Sequence, residues 1–432
     1  MGYKKRISEL GVKRDSMKKV IVRGPALSRS GYGEHTRFVI RSLRRHQDKF
    51  DIYLLNTGWG NTGWLFDDSE ERQWLDSIML KTALYNQQEA SYDLSLQVTI
   101  PNEWERLAPV NVGVTAGIET TQVDPEWIMR SQNVNKIITV SEHSKNVYER
   151  TSYVATNEKT GETVQNFKCT TPIDVVHYPV RLFESQEMKL DLKTDFNFLA
   201  VAQWGPRKNL ENTIRWFVEE FIDQKVGLVL KASIVNNSLI DRREIENRLK
   251  SILKQYPQRE CKVYILHGDN TDEEMTYLYN HPKIKALVSL AHGEGFGLPL
   301  FEAAYNALPI IAPDWSGHLD FLYMPTEHKK GKIKQKPQFA KVDYDISPIF
   351  KEAVWDGVLH KDSMWCYPKQ GSYKMRLREI YKDHSRFKSQ AKKLQKWILE
   401  NFEEKKQYDK MAESILSVYK NSVNSEPVTV FD

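Results

Sequence analysis

The chain has 432 residues, of which 40% are apolar and 28% charged, and its formal net charge is +5. This length exceeds what one hydrophobic core usually serves, so it favours two domains, and the composition excludes a largely disordered chain. Three separate cysteines, Cys169, Cys261 and Cys366, form neither a CxxC pair nor an even-numbered framework. We therefore expect a reducing compartment and no structural zinc.

No apolar run approaches the roughly 18 residues that a membrane helix needs. The N-terminal segment carries charges with no apolar stretch behind them, and Arg6 stands where a myristoylation signal has Ser or Thr. These features predict a soluble, cytoplasmic protein. Residues 1–45 hold thirteen Lys or Arg but only three acidic residues. Such a segment is usually a solvated surface, and the alternative is a patch that steers a polyanion.

Short β-branched and aliphatic runs alternate with longer segments of helical period, which predicts an α/β fold of parallel strands joined by helices. In the first half, the predicted strands are 19–24, 50–55, 92–98, 111–116, 136–141 and 174–179. In the second half, they are 196–203, 227–232, 262–268, 284–290 and 308–313. Helical patterns cover 210–222, 241–255 and most of 372–421.

The polar segment 180–195 lacks a clear period and separates the two strand-rich halves, so we predict an interdomain linker there. The predicted domains are residues 1–185 and 186–385. A helical segment over 386–432 is expected to cross back to the first domain. The sequence does not predict the oligomeric state.

Three polar or glycine-rich stretches predict loops. They are residues 56–64, with two tryptophans in a short repeat, residues 154–172, and residues 328–336, with five lysines. A solvated surface is one interpretation of each. The other is acceptor binding, since loops on a rigid α/β scaffold often carry recognition groups.

The strongest motif follows a predicted strand of the second half, where residues 292–302 read HGEGFGLPLFE. Strand, glycine-rich turn and helix start in this order place backbone N–H groups at the carboxyl edge of a sheet, which suits a diphosphate or sugar oxygens. Gly295 and Gly297 let the backbone approach a ligand, and Glu294 and Glu302 offer carboxylates to hydroxyl groups. The alternative is a capping Glu and a solvated helix Glu.

Arg207 and Lys208 follow the first predicted strand of the second half, at the same edge of the predicted sheet. Their charges would neutralise a diphosphate leaving group without a metal, although an Arg-Lys pair in a loop is usually surface decoration. In the first half, residues 31–33 (Gly-Tyr-Gly) predict a flexible loop before a helix that begins near Glu34. That loop is either a phosphate cradle or an ordinary βα turn.

Together these motifs resemble glycosyltransferase family 4 (GT4), a family of retaining enzymes, and its phage-encoded members in particular. The resemblance covers residues 198–210 and 293–317 best and continues through 113–128 and 135–150. It implies the GT-B fold, in which two Rossmann-like domains with parallel sheets face a central cleft and a C-terminal helix crosses back to the first domain. It also implies a nucleotide-diphosphate sugar, expected to be a UDP-sugar, with no metal and no further cofactor.

The resemblance implies roles for matched positions. Glu294, Lys208 and Arg207 would be the catalytic groups at the donor sugar and its diphosphate, and Glu302 would bind the ribose hydroxyls. The other implied substrate contacts are Gly31, Tyr32, Gly33, Glu119, Ser141 and Ser144 in the first domain and Gly295, Phe296, Gly297 and Leu298 in the second.

Two places depart from the family's pattern. Gln203 and Trp204 stand where many members have an Arg beside the diphosphate, so one cation fewer is expected. Ala116 and Gly117 stand where many members have a His, and Glu119 is the candidate substitute for it.

The sequence leaves the identity of the acceptor open. The basic N-terminal segment and the lysines of 329–336 fit sugar transfer to 5-hydroxymethylcytosine in double-stranded phage DNA. Transfer to a polysaccharide, a lipid-linked intermediate or a small molecule is the alternative within the same chemistry. A non-catalytic nucleic-acid-binding protein on the same fold is an alternative of another class, and an epimerase or phosphorylase is a further enzymatic one. The sequence identifies neither the sugar nor the nucleotide.

Overall fold

The computed structural model describes residues 17–156, 160–328 and 331–422. Residues 1–16, which hold part of the predicted basic segment and Arg6, lie outside the described residues, as do Lys329 and Lys330 of the predicted lysine loop. Among the described residues, no helix is long and apolar enough to cross a membrane.

The first domain is built on a six-stranded parallel sheet in the order β2-β1-β3-β4-β5-β8. The strands of this domain are β1 (Lys18–Gly24), β2 (Phe50–Asn56), β3 (Leu94–Val98), β4 (Val110–Val114), β5 (Lys136–Thr139), β6 (Ser152–Thr156), β7 (Thr163–Lys168) and β8 (Ile173–Val175). Its helices are α1 (Gly31–Arg45), α2 (Glu70–Asn86), α3 (Pro125–Ser131) and α4 (Glu142–Arg150). Because β3 is buried at every position, this sheet is covered on both faces, as parallel sheets usually are.

The second domain repeats this plan with a parallel sheet in the order β11-β10-β9-β12-β13-β16. Its strands are β9 (Asn197–Gln203), β10 (Gly227–Ser233), β11 (Lys262–Leu266), β12 (Ile284–Val288), β13 (Ile310–Pro313), β14 (Tyr323–His328), β15 (Lys332–Pro337), β16 (Ala340–Val342), β17 (Tyr344–Pro348) and β18 (Met364–Pro368). Its helices are α5 (Leu210–Glu220), α6 (Leu239–Leu253), α7 (Asp272–Asn280), α8 (Leu298–Tyr305), α9 (Leu319–Leu322) and α10 (Gln370–Lys382).

The predicted α/β architecture is confirmed, and each predicted strand is present with slightly different ends. Two predicted loops were wrong in part, because 154–172 contains the hairpin β6-β7 and 328–336 contains most of β15, which pairs with β14. β7 and β15 are exposed at nearly every position, so they lack the alternation of apolar and polar residues that reveals a half-buried strand. The segment 56–64 is a loop beyond the end of β2, as predicted.

Two further helices follow the second domain, α11 (His384–Asn401) and α12 (Glu404–Ser422), and residues 423–432 lie outside the described residues. α11 packs on α8 of the second domain, where Gln395 Nε2 donates to the carbonyl oxygen of Tyr305 at 2.8 Å. α12 packs on α1 of the first domain, and Ser414 Oγ donates to Asp174 Oδ2 at 2.6 Å. The prediction that the C-terminal helical segment crosses back to the first domain is therefore confirmed. The crossing lies between α11, which packs on the second domain, and α12, which packs on the first. The domain bounds themselves stay a prediction.

Candidate active site between the two domains

A cavity of about 580 Å³ lies between the two domains, a size that suits a small-molecule ligand. Its walls are built from segments that follow the carboxyl ends of strands in both sheets. In the first domain they follow β1, β2 and β4, and in the second domain they follow β9, β10, β11 and β12. Since parallel strands bring their carboxyl ends to one edge, the two sheets present their loop-bearing edges to the same cavity.

Arg207, Lys208 and Glu294 meet in this cavity. β9 and β12 are neighbouring strands, and the backbone N–H of His292 donates to the carbonyl oxygen of Arg207 at 2.8 Å, which ties the two following loops together. Lys208 Nζ donates to Glu294 Oε1, and Arg207 Nη1 donates to Glu294 Oε2 at 3.1 Å. The structure therefore brings together the three residues that the resemblance assigns to catalysis.

Charge pairing fixes the protonation of this cluster. Glu294 is only 8% exposed, and burial raises its pKa, but the charges of Lys208 and Arg207 outweigh burial and lower that pKa to about 2. Burial and the charge of Arg207 lower the pKa of Lys208. Arg207 Nη2 also lies 3.5 Å from Glu119 Oε1, so Glu119 belongs to the same cluster. Near neutral pH, Glu294 is an ionised acceptor held between two cations.

The first turn of α8 supplies backbone donors beside the cluster. Gly297 has φ of +91°, a left-handed conformation that favours glycine, and no side chain caps the helix. Gly295, Phe296, Gly297 and Leu298 all line the cavity. Uncapped N–H groups at the positive end of a helix are a suitable site for an anion.

Glu302 lies on α8 and lines the cavity too, at the point where a second cavity of about 570 Å³ adjoins it. The hydroxyl of Tyr279 donates to Glu302 Oε2 at 2.7 Å. Burial raises the pKa of Glu302 to about 7, against the opposing effect of that hydrogen bond, and the charges of Asp272 and Glu34 add to the rise. Both predicted glutamates therefore face one cavity with different charge states.

The predicted flexible loop at residues 31–33 is wrong, because α1 begins at Gly31 rather than near Glu34. Ser30 caps the helix by accepting a hydrogen bond from the N–H of Gly33 at 3.0 Å. A Cβ at Gly33 would lie 2.0 Å from the carbonyl oxygen of Ser28, so this glycine serves close packing. Gly31 and Tyr32 line the cavity, and Gly33 does not.

The two domains meet backbone to backbone at Gly117 and Gly295. Gly117 has φ of +107°, and a Cβ there would lie 2.8 Å from the Cα of Gly295. A Cβ on Gly295 would lie 2.5 Å from the carbonyl oxygen of Ala116. This close approach leaves no room for a side chain at Gly117 or at Gly295.

Ser141 and Ser144 are fully buried and do not line the cavity. Ser141 Oγ accepts from the N–H of Ser144 at 3.2 Å and caps α4, and Ser144 Oγ accepts from the N–H of Ile118 at 2.9 Å. Both hydroxyl groups thus hold the loop that meets Gly295. A direct contact of either residue with substrate stays a prediction.

Lys231 is a cavity residue that the sequence analysis missed. It lies near the end of β10, and burial lowers the pKa of its ammonium group, which donates to the carbonyl oxygen of Gly268. A Lys near the end of an otherwise apolar strand was the available signal for it. Trp59 belongs to the 56–64 loop, for which acceptor binding was one interpretation, and its ring centroid lies 4.2 Å from that of Tyr32. Gln203 lines the cavity without a charge, as expected, and Lys231 on the neighbouring strand is a cation that the motif did not predict.

No group of three or more His, Cys, Asp or Glu side chains lies where it could hold a metal ion, as far as the chain is described. Four cationic side chains line the cavity, and they are Arg29, Arg207, Lys208 and Lys231.

Comparison with known proteins adds a partial sequence match. No family model matches the chain. A segment of 121 residues is 33% identical to the serotype-specific mannosyltransferase WbdA of Escherichia coli. That segment is 27% of this chain but only 13% of the relative, so the chain spans a small part of the relative it matches.

Several solved structures superimpose on nearly the whole chain. Sucrose-phosphate synthase from Thermosynechococcus elongatus gives a TM-score of 0.60 at 13% identity, over 94% of this chain and 100% of that one. A glycosyltransferase from Rickettsia africae gives 0.57 at 11% identity, over 94% and 100%. Anabaena HepE in complex with UDP gives 0.54 at 12% identity, over 93% and 100%. At these identities the likeness is one of fold, and it confirms the architecture that the sequence resemblance implied: the chain has the GT-B fold.

Proposed function

We propose that the chain is a retaining glycosyltransferase of the GT4 type that moves a sugar from a nucleotide-diphosphate sugar to a hydroxyl group of an acceptor. The observation that carries this proposal is the pairing of Lys208 and Arg207 with the buried Glu294 beside the uncapped start of α8. Anion-binding and hydroxyl-binding groups thus lie side by side in one cavity. A nucleotide-diphosphate sugar needs both.

Each group has a distinct part in the proposed reaction. Lys208, Arg207 and the N–H groups of α8 bind the diphosphate, and Glu294 accepts hydrogen bonds from the donor sugar. Glu302 accepts hydrogen bonds from the ribose. Electrostatic stabilisation of the leaving diphosphate and positioning of the acceptor supply most of the rate.

In the transfer step, the bond between the anomeric carbon and the diphosphate oxygen breaks, and a bond from that carbon to the acceptor oxygen forms. The acceptor's proton passes to the departing phosphate on the same face. Since Glu294 is ionised and held by two cations, its proposed part is to orient the sugar and not to donate a proton.

We propose a saccharide acceptor in preference to DNA. Of the basic residues described before residue 46, Lys18 and Lys19 begin β1 and Arg44 and Arg45 end α1, so these four lie at the edge of the first sheet opposite to the cavity, whereas Arg29 lines the cavity. Arg45 is paired there with Asp409 of α12, at 3.3 Å. The DNA acceptor suggested by the sequence stays a prediction that the position of these residues does not favour.

The first test is a panel of donors, UDP-glucose, UDP-N-acetylglucosamine and GDP-mannose, assayed by mass spectrometry. Acceptors are simple methyl pyranosides, a hydroxymethylcytosine duplex and an unmodified duplex. We expect a mass gain on a saccharide with at least one donor, and NMR of the product should show the donor's anomeric configuration retained. Transfer to the modified duplex alone would overturn the saccharide acceptor, an inverted product would overturn retention, and donor binding without transfer to any acceptor would favour a non-catalytic role.

Lys208→Ala is expected to lower kcat/KM by about 100-fold, because one charge on the leaving diphosphate is lost. Glu294 keeps Arg207 as a partner in this variant, so the thermal unfolding temperature should change little. Lys250→Ala, which removes an exposed lysine from α6, is the matched control and should keep full activity. Near-normal turnover of Lys208→Ala would remove this residue from the mechanism.

The pH dependence of UDP binding should report on Glu302. Because its pKa in the ligand-free chain is raised to about 7, Glu302 is mostly protonated at pH 6 and mostly ionised at pH 8. The ionised form is the better acceptor for ribose hydroxyls, so UDP affinity should rise with pH by up to about tenfold per unit below that pKa. UDP affinity is measured by titration calorimetry for the unaltered chain and for Glu302→Gln. Since the ionisation of UDP affects both proteins alike, comparing them removes its contribution. If the ratio of the UDP affinity of the unaltered chain to that of Glu302→Gln does not change between pH 6 and pH 8, the assignment of Glu302 to the ribose is wrong.

A further inference from the structure

The loop between β2 and α2, residues 57–69, places aromatic surface inside the cavity that holds Lys208 and Glu294. Trp59, Thr62 and Gly63 of this loop line that cavity. Trp59 is half-buried, and its ring centroid lies 4.2 Å from that of Tyr32, on the first turn of α1. The two rings pack against each other at an interplanar angle of 34°, and we call this pair the Trp59–Tyr32 platform.

The first domain's own backbone holds the loop that carries this platform. The N–H of Arg29 donates to the carbonyl oxygen of Gly63 at 2.8 Å, and the N–H of Leu65 donates to the carbonyl oxygen of Leu27 at 2.9 Å. Between these two contacts, Ser28 Oγ and Thr62 Oγ1 are 2.7 Å apart. A platform anchored in this way does not have to be ordered when a ligand binds, which lowers the entropic cost of binding.

Tyr32 is fixed as well. Its hydroxyl group lies 2.9 Å from Thr115 Oγ1, which follows β4, so the platform connects the loops after three strands of the first sheet. Its ring supports Trp59 from the side of α1. The platform therefore belongs to the scaffold of the first domain and stands opposite the charged cluster of the second.

The chemistry around the platform suits a sugar ring. The face of an aromatic ring is electron-rich and attracts the weakly positive C–H bonds that one face of a pyranose presents. Asp269 and Asn237, which line the same cavity, offer a carboxylate and an amide to hydroxyl groups at the ring's edge. Asp269 Oδ1 lies 4.0 Å from where a Cβ on Gly63 would stand, so these polar groups are close to the platform.

Charge near the platform is mixed. Asp67 and Asp68 belong to the platform loop, Glu70 begins α2, and Asp269 and Asp272 belong to the second domain, all of them exposed. Arg29 lines the cavity too and lies 3.8 Å from Asp269, which partly offsets this acidic charge. The acidic residues on both domains make this opening less favourable for a nucleic-acid backbone than a purely basic surface would be.

We propose that the Trp59–Tyr32 platform is an acceptor subsite that binds the pyranose ring of a saccharide by stacking. This proposal rests on the proposed function, since the pyranose bound at the platform is the acceptor that receives the sugar. It assigns a residue to the 56–64 loop, for which acceptor binding was one interpretation of the sequence, and it gives the acceptor a place in the same cavity as the donor's diphosphate site.

The test uses the full chain saturated with UDP, and methyl α-mannopyranoside and methyl α-glucopyranoside as probes, observed by saturation-transfer NMR. We expect strong transfer to ring C–H protons of at least one probe. Trp59→Ala should weaken that binding by about tenfold, and Trp59→Phe, which keeps an aromatic face, should retain most of it. Phe66→Ala, which removes an 87% exposed ring of the same loop, is the matched control and should bind like the unaltered chain.

UDP affinity is measured on every variant and should be unchanged by Trp59→Ala, which separates the acceptor subsite from the donor site. Equal pyranoside binding by Trp59→Ala and the unaltered chain would overturn the subsite, even if sugar transfer is found. Binding of cytidine at Trp59 without pyranoside binding would overturn the saccharide class. Pyranoside binding that depends on Trp59, in a chain that transfers no sugar, would support the subsite and contradict the proposed function.

Discussion

The contact on which the site depends is the backbone approach of Gly117 to Gly295. Neither position has room for a side chain, because a Cβ on either glycine would lie within 2.8 Å of the other domain's backbone. Ser144 holds the first-domain loop in this position through the N–H of Ile118. The contact brings the carboxyl edges of two parallel sheets close enough to enclose one cavity. The second domain holds Arg207, Lys208 and Glu294 together and the first domain holds the platform, and this contact places both beside one cavity.

Within that cavity, burial requires each charge to have a partner. Glu294 would lose much of its ionisation if it were buried alone, and Lys208 and Arg207 keep it charged. Those cations are in turn held in place by the carboxylate, so an anionic ligand meets a preorganised group that needs little rearrangement. Burial raises the pKa of Glu302, and among the described residues no cation forms an ion pair with it to offset that rise. Two glutamates eight residues apart thus acquire different properties from their surroundings.

The sequence predicted the elements that are buried and regular. Each strand of the two sheets with a long apolar run was predicted, and so was the meeting of Arg207 and Lys208 with Glu294, since their strands are neighbours in a parallel sheet. The strand β16 was missed because it has only three residues, and the hairpins β6-β7 and β14-β15 were missed because β7 and β15 are exposed at nearly every position. The start of α1 was misplaced because Gly33 serves packing rather than flexibility. Lys231 reaches the cavity only through tertiary structure, which no local pattern reports, whereas the 56–64 loop that carries Trp59 was already a candidate for acceptor binding.

The most direct measurement is a crystal structure of the chain with UDP. The account predicts that the diphosphate contacts Lys208 Nζ and the N–H groups at the start of α8, with the ribose hydroxyls within hydrogen-bonding distance of Glu302. UDP bound elsewhere, with Lys208 still paired to Glu294 and the interdomain cavity unused, would contradict the central claim that this cavity is the donor site.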